Sequence, residues 1–326
     1  MSKRCVAVLM GGMSTERKIS LKSGAAVAAA LRSKGHHVVE IDVGPDLPAQ
    51  LTAAGADVEW LALHGAFGED GCVQGLLEIM RIPYTGSGPR GSAIAMDKIA
   101  TKRLLKDTGV HLPQDAVWRR GEPLPAGLSY PIVAKAPDGG STIGIAMCAN
   151  EAELIAALDN TDVFEDEVLL EAFVQGEEIT VALLDGEPQP VVSIRPVEGF
   201  FDFEAKYTKG QTEYLVPAPI DPVVAATAQA HARIAFRTIG LSGVARADFI
   251  VDESGIPWFL EINTIPGMTA TSLTPMAAGA AGMSFEDLVE MQLEAAQLHV
   301  EVATDRAAAP QTMDQTPQPK ASNGSH

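Results

Sequence analysis

GVARADFIV (243–251) and PWFLEINTIPG (257–267) decide how this chain reads. Each stretch is rich in branched and aromatic residues, as strands are, and the intervening Asp252-Glu253-Ser254-Gly255 is a hairpin turn signal. Side chains alternate between the faces of a strand, so Arg246 and Asp248 share one face, and Glu261 and Asn263 share one face. Two carboxylates and an amide oxygen then converge across neighbouring strands, beside a guanidinium. Such an all-oxygen set suits Mg2+, which prefers hard ligands and shares its coordination with phosphates. The alternative is a solvated hairpin with a polar outer face. Phe249, Ile250, Val251, Trp258, Phe259 and Leu260 are too apolar for that.

Upstream, YPIVAKAP (130–137) reads as an apolar strand that carries one lysine, Lys135. An ammonium inside an apolar strand needs an anionic partner. The Gly-rich DGGSTIG (138–144) follows, a β-loop-β flap whose backbone N–H groups can approach phosphates closely. Lys98, in Met96-Asp97-Lys98, begins a helical pattern and offers a second cation; by itself it would read as a solvated helix face. Together these features point to a nucleoside triphosphate site. No Walker-type phosphate loop is present. Gly86-Ser87-Gly88-Pro89-Arg90-Gly91 fits a dinucleotide fingerprint formally, but no proper strand precedes it.

The N-terminal part alternates strands over 6–10, 38–43 and 58–63 with helices over 18–33 and about 47–53, the signature of a parallel open sheet. Ligands of such sheets bind beyond the C-terminal strand ends, where the loops 11–16 and 64–71 stand. Further along, helices are expected over 73–80, 97–106, 151–158, 223–239 and 284–299. Strands are expected over 132–135, into 147, and over 168–174, 179–184 and 190–196. The stretch 303–326 is polar, without apolar period, and reads as a disordered tail.

The 326 residues suffice for two or three domains. A formal charge of −18 without a basic cluster argues against nucleic acid and against an anionic membrane surface. Cys5, Cys72 and Cys148 are too scattered for a zinc site or a disulfide framework. The apolar run near the N-terminus is too short for a signal sequence, and no run is long enough for a membrane helix, so a cytoplasmic protein is expected.

The two lysines, the flap, an acidic strand (VLLEAFV, 168–174) and the D…E-x-N hairpin resemble the ATP-grasp fold. A fuller series resembles the D-alanine–D-alanine ligase family: GGMSTERKISLKSG (11–24), LHGAFGEDGCVQGLLE (63–78), PYTGSG (83–88), AMDK (95–98), FFDFEAKY (200–207), ARADF (245–249), LEINTIPGMTATSLTPMAA (260–278) and GMSF (282–285). It runs in the family's order over about residues 6–293.

The resemblance implies an α/β chain in which an N-terminal open parallel sheet domain (1–96) precedes a two-part ATP-grasp fold (97–176 and 177–302), with the tail (303–326) outside it. It implies ATP-dependent joining of two D-alanine molecules through an acyl phosphate, for peptidoglycan precursors, in a homodimer that uses two Mg2+ ions (Mn2+ being possible). Carried over by position, Lys98, Lys135 and Lys206 meet the ATP phosphates. Glu171 and the backbone at Phe173 and Val174 meet adenine, and Glu178 the ribose. Asp248, Glu261 and Asn263 hold the metal. Glu16 pairs with the first substrate's ammonium, and His64 lies near its carboxylate. Arg246 and the N–H of Gly267 stabilise the oxyanion. Ser272 and Leu273 bind the second carboxylate. Ser141 and Tyr207 form a hydrogen-bonded set with Glu16. Ala172 stands where many members carry a lysine. Lys206-Tyr207 favours an amine nucleophile over a hydroxy acid.

Overall fold

The computed structural model describes residues 3–139, 144–196 and 212–301. The expectations for Ser141, Lys206, Tyr207 and the 303–326 tail lie outside the described residues. Within these residues the chain builds three sheets.

The first comprises β1 (Cys5–Met10), β2 (His37–Asp42) and β3 (Val58–Leu61), parallel and ordered β2-β1-β3. The helices α1 (Arg17–Ser33) and α2 (Leu47–Ala54) connect them, and α3 (Cys72–Met80) follows. The central strand is apolar throughout because both of its faces are covered. Val6, Val8 and Met10 pack on Val27, Ala28 and Leu31 of α1. Ala7 and Leu9 pack on Leu47 and Leu51 of α2 and Val73 and Leu77 of α3.

One helix was expected next, over 97–106; there are two, α4 (Pro89–Met96) and α5 (Lys98–Leu105). Asp97 divides them: its backbone is extended and its side chain accepts from Ala100 N–H at 3.0 Å, capping α5. The formal dinucleotide fingerprint is the start of α4, with Gly88 as N-cap and Pro89 in the first turn.

The second sheet is antiparallel, in the order β4 (Asp115–Arg119), β7 (Glu167–Ala172), β5 (Ile132–Lys135), β6 (Ile145–Cys148). The helix α6 (Glu151–Leu158) covers one face with Leu154 and Leu158. The third sheet is also antiparallel and is ordered β11 (Thr212–Leu215), β10 (Val192–Pro196), β8 (Gly176–Leu184), β12 (Val244–Asp252), β13 (Pro257–Asn263), with β9 (Glu187–Pro188) paired on β8. Ala228, Ala232, Ala235 and Phe236 of α7 (Pro222–Ile239) pack on Ile179, Val181, Ala245, Ala247 and Phe249.

The chain then returns to its beginning. After α8 (Leu273–Ala280), α9 (Phe285–Glu294) packs Leu288, Val289 and Leu293 against the α1 side of the first sheet. Buried His36 and Glu290 pair at 3.0 Å across that contact. The final helix stops at Glu294 rather than continuing to 299, because Gln297 turns to exchange backbone hydrogen bonds with Tyr84 at 3.1 and 3.3 Å. No described helix is long and apolar enough to cross a membrane.

Candidate active site

The hairpin of β12 and β13 has the register that brings its polar groups together: Arg246 lies opposite Asn263, and Asp248 opposite Glu261. Simple alternation would leave Glu261 on the face of Phe259, which is fully buried in the core. A β-bulge removes that conflict. The pairing shifts between Asp248 and Phe249, so Phe249 faces Phe259 and Leu260 is the extra residue. Phe259 and Ile262 can thereby both enter the core, while Leu260 and Glu261 both line a cleft.

Asp248 is buried and fully engaged. Arg246 Nε donates to its Oδ1 at 2.9 Å and Arg246 Nη2 to its Oδ2 at 2.7 Å. Thr180 Oγ1 donates to Oδ1 at 2.5 Å, and Asn263 Nδ2 lies 3.4 Å from Oδ2. Thr180 has no counterpart in the sequence reading, although its place two residues after Glu178 on β8 puts it on the same face.

Two clefts meet at this hairpin. One is lined by Lys135, Glu171, Phe173, Val174, Glu178 and Asp248, the other by Glu16, His64, Glu69, Arg246, Asn263 and Gly267. Lys98 and Glu261 line both. Lys98 Nζ stands 3.3 Å from Glu261 Oε2 and donates to the Gly139 carbonyl at 2.6 Å, at the entry to the flap.

In the first cleft, Glu171 is held between two lysines: Lys135 pairs with its Oε2 and Lys102 with its Oε1. Burial drives the Glu171 pKa up, but the two ammonium groups more than offset it and hold the carboxyl below its ordinary value. Lys102 was not singled out from the sequence, where it reads as one more polar position on a helix. Phe173 donates its N–H to the Pro131 carbonyl at 3.0 Å, so that group is already used within the sheet.

In the second cleft, the loop before α1 is fastened at both ends. Arg17 forms a two-pronged ion pair with Asp42 at 2.5 Å, and Ser14 Oγ donates to the His64 carbonyl at 2.6 Å. Glu16, at the head of α1, is thus brought beside His64. Burial lowers the His64 pKa to about 4, with the Ile265 backbone pulling the other way, so its imidazole is neutral at neutral pH. Ser23 Oγ lies 3.3 Å from its Nε2 and also accepts from Met268 N–H at 3.2 Å.

Glu69 lies within the 63–78 motif, where residue type and spacing alone assign it no role. It accepts from Gly65 N–H at 2.8 Å and from Ile265 N–H at 3.3 Å, tying the two loops that carry His64 and Gly267. Burial, aided by the nearby Glu16 charge, pushes its pKa up to about 7 against these hydrogen bonds. Ser272 and Leu273 stand next to this cleft rather than in its lining. Ser272 is the N-cap residue of α8, but its hydroxyl accepts from Thr269 N–H at 3.1 Å instead of capping the helix. Leu273 packs with Ala182, Val192 and Ala277.

Among the described residues no group of three His, Cys, Asp or Glu could hold a metal ion. The convergent set of two carboxylates, Asp248 and Glu261, and the Asn263 amide falls within the hard-oxygen chemistry of Mg2+.

Residues 112–294 match the family described as "D-ala D-ala ligase C-terminus", and residues 44–87 match "D-ala D-ala ligase N-terminus". The chain is 50% identical over 299 residues to the D-alanine–D-alanine ligase of Syntrophotalea carbinolica, covering 91% of this chain and 98% of that one. Identity to the ligase of that name from Geobacter sulfurreducens is 44%, over 90% of this chain and 95% of that one. A crystal structure of the D-alanine–D-alanine ligase from Bacillus anthracis complexed with ATP superimposes with a TM-score of 0.80 at 33% identity, covering 90% of this chain and 97% of that chain.

Proposed function

The chain belongs to the D-alanine–D-alanine ligase family, and on that premise we propose that it joins two D-alanine molecules to D-alanyl-D-alanine through an acyl phosphate, with ATP as co-substrate, to supply peptidoglycan precursors. The γ-phosphoryl group of ATP passes to the carboxylate of the first D-alanine, and ADP is the leaving group. The amine of the second D-alanine attacks the acyl carbon and loses a proton, and inorganic phosphate departs. One observation carries this reading: the two clefts share Lys98 and Glu261, so a group transferred between them passes that pair.

The residues divide by cleft. Lys98 and Lys135 draw the phosphates, and Lys206, outside the described residues, joins them. Glu171 accepts from the adenine amino group, the backbone at Phe173 and Val174 meets the base edge, and Glu178 accepts from the ribose hydroxyls. Glu16 pairs with the ammonium of the first D-alanine. Neutral His64 lies near the same molecule's carboxylate. Arg246 and the N–H of Gly267 stabilise the oxyanion that develops on the acyl carbon. Ser272 and the N–H of Leu273, at the start of α8, receive the second carboxylate. Ser141 and Tyr207, outside the described residues, complete a set with Glu16.

Asp248, Glu261 and Asn263 would hold two Mg2+ ions, or Mn2+; the oxygen donor set and its register across β12 and β13 support this. Bound there, the metal would neutralise charge on the β- and γ-phosphates. Catalysis by this chain is then largely positioning and charge compensation. We further read the chain as three units, 1–96, 97–176 and 177–302, that works as a cytoplasmic homodimer; light scattering tests the dimer.

The deciding experiment follows ADP formation with ATP, Mg2+ and either enantiomer of alanine, with mass spectrometry of the product. ADP formation that requires D-alanine and yields the dipeptide is expected. ADP release independent of D-alanine, or mainly depsipeptide when D-lactate is added, overturns the reading.

A further inference from the structure

Lys102 is nearly inaccessible, with its side chain 3% exposed, and it lines neither cleft. A buried ammonium is costly unless each of its three donors is met. Here three acceptors surround Nζ: Glu171 Oε1, the Pro113 carbonyl at 3.1 Å and Asp115 Oδ1 at 3.5 Å. Glu171 and Pro113 are both walls of the nucleotide cleft, and Lys102 grips both from behind.

The helix that carries Lys102 gives the contact more reach. Lys98 and Lys102 are four residues apart on α5 and therefore share a face. Lys98 touches Glu261 and the Gly139 carbonyl, at the end of the cleft that meets the second cleft. Lys102 touches Glu171, on β7. One rigid turn of helix thus connects the two ends of the cleft. The two oxygens of Glu171 are also divided, Oε2 to Lys135 on β5 and Oε1 to Lys102. Without Lys102 the carboxylate would keep only one of the two contacts that fix its orientation.

We propose that Lys102 is a positioning residue for base selection: it holds Glu171 and Pro113 so that the cleft prefers a nucleobase with an exocyclic amino donor over one with a carbonyl at the same position. This rests on the proposed nucleotide role of Glu171. An ionised carboxylate only accepts hydrogen bonds, so a base presenting an acceptor there gains no bond from Glu171 and meets its negative charge instead. The preference depends on the carboxylate staying where the amino group arrives.

The test measures D-alanine-dependent release of nucleoside diphosphate from ATP and from inosine triphosphate, using the full chain and Mg2+. Lys102→Gln keeps a donor for Pro113 and removes the charge. It is expected to raise KM for ATP about tenfold and to lower the ATP-over-ITP preference about tenfold, while kcat at saturating nucleotide stays within about threefold. In a Glu171→Gln background the same substitution leaves the nucleotide preference unchanged, because the group it positions has gone. A folded Lys102→Gln protein with the parent preference overturns the proposal, and so does an equal loss in the Glu171→Gln background. Should Lys102→Gln fail to fold, Lys102→Met, which fills the same space without the ammonium, decides: a folded Lys102→Met protein with the parent ATP preference refutes the proposal, and a lowered preference supports it. Failure of the unsubstituted chain to turn over ATP with D-alanine would instead sink the function proposed above.

Discussion

Lys98 Nζ lies 3.3 Å from Glu261 Oε2, joining the first residue of α5 to the bulged strand β13 at the point where the two clefts open into one another. The pair spans two of the sheets' neighbourhoods, and the Lys98 backbone N–H is fixed by the Pro137 carbonyl at 2.9 Å. Each partner faces the path of the transferred phosphoryl group in the proposed reaction.

Lys98→Met and Glu261→Gln should therefore each lower turnover by about two orders of magnitude, and the double variant should be little worse than either single one, because groups acting on one transferring unit are not additive. Coupled ADP assays of the three proteins check this. Turnover within about tenfold of the parent for either single variant would remove that residue from the chemistry.

Arg246 serves two partners in this reading: Asp248, which it grips with two nitrogens, and the developing oxyanion. Arg246→Ala is expected to cut turnover by roughly two orders of magnitude or more, with only a modest change in ATP affinity. Titration calorimetry with a non-hydrolysable nucleotide, alongside the rate assay, separates the effects. A near-parental rate would exclude the oxyanion role.

Gly65 has φ +70°, and a Cβ there would sit 2.9 Å from Glu16 Oε2 and 3.2 Å from Ser14 Cβ. Gly65→Ala is strained at that backbone angle and also presses on the carboxylate proposed to meet the ammonium of D-alanine. We expect KM for D-alanine to rise about tenfold while KM for ATP holds, since displacement of one positioning group acts on its own substrate. Equal increases for both substrates would argue against a local effect at Glu16.

Glu59 on β3 is fully buried, and neither of its carboxylate oxygens has a hydrogen-bond partner. Burial pushes its pKa up from 4.5 to about 8. The folded chain thus keeps a proton that the unfolded chain releases. Its contribution to stability is full below pH 4.5 and is lost as pH rises through about 8. Glu59→Met removes this liability. Near pH 8 it should melt several degrees above the parent, reflecting a gain on the order of 3–5 kcal/mol at most, and near pH 5 the gap should narrow. Parallel melting curves across that range would contradict it.

Much of the molecule is legible in the sequence because local pattern and tertiary demand agree. The apolar run 5–10 is a strand covered on both sides, and the helix over 151–158 has the bounds that Asn150 and its four-residue repeat set. Legibility fails where long-range packing decides. The pattern gives no warning of α4, since Gly-rich 86–91 looks like a loop until Gly88 and Pro89 are seen to start a helix. The local pattern carries the final helix on to 299 because nothing local announces that Gln297 will pair with Tyr84. At the site, the acidic and amide residues of the hairpin stand out because they interrupt apolar strands. Lys102 and Glu69 do not, because their importance comes from what they touch across the fold: Glu171 for one, Gly65 and Ile265 for the other.

Leu260 sets seven residues of β13 (Pro257–Asn263) against six of β12 (Arg246–Val251). The face on which Glu261 stands therefore depends on Leu260 being left out of the ladder. Replacing Leu260 with another apolar side chain changes the cleft wall slightly, and deleting it leaves a regular ladder in which Phe249 faces Phe259, Asp248 faces Glu261 and Glu261 keeps to the cleft side. A single-codon deletion there would keep every proposed ligand in the polypeptide and on its own face of the sheet, with the loss of one apolar wall of the proposed nucleotide cleft.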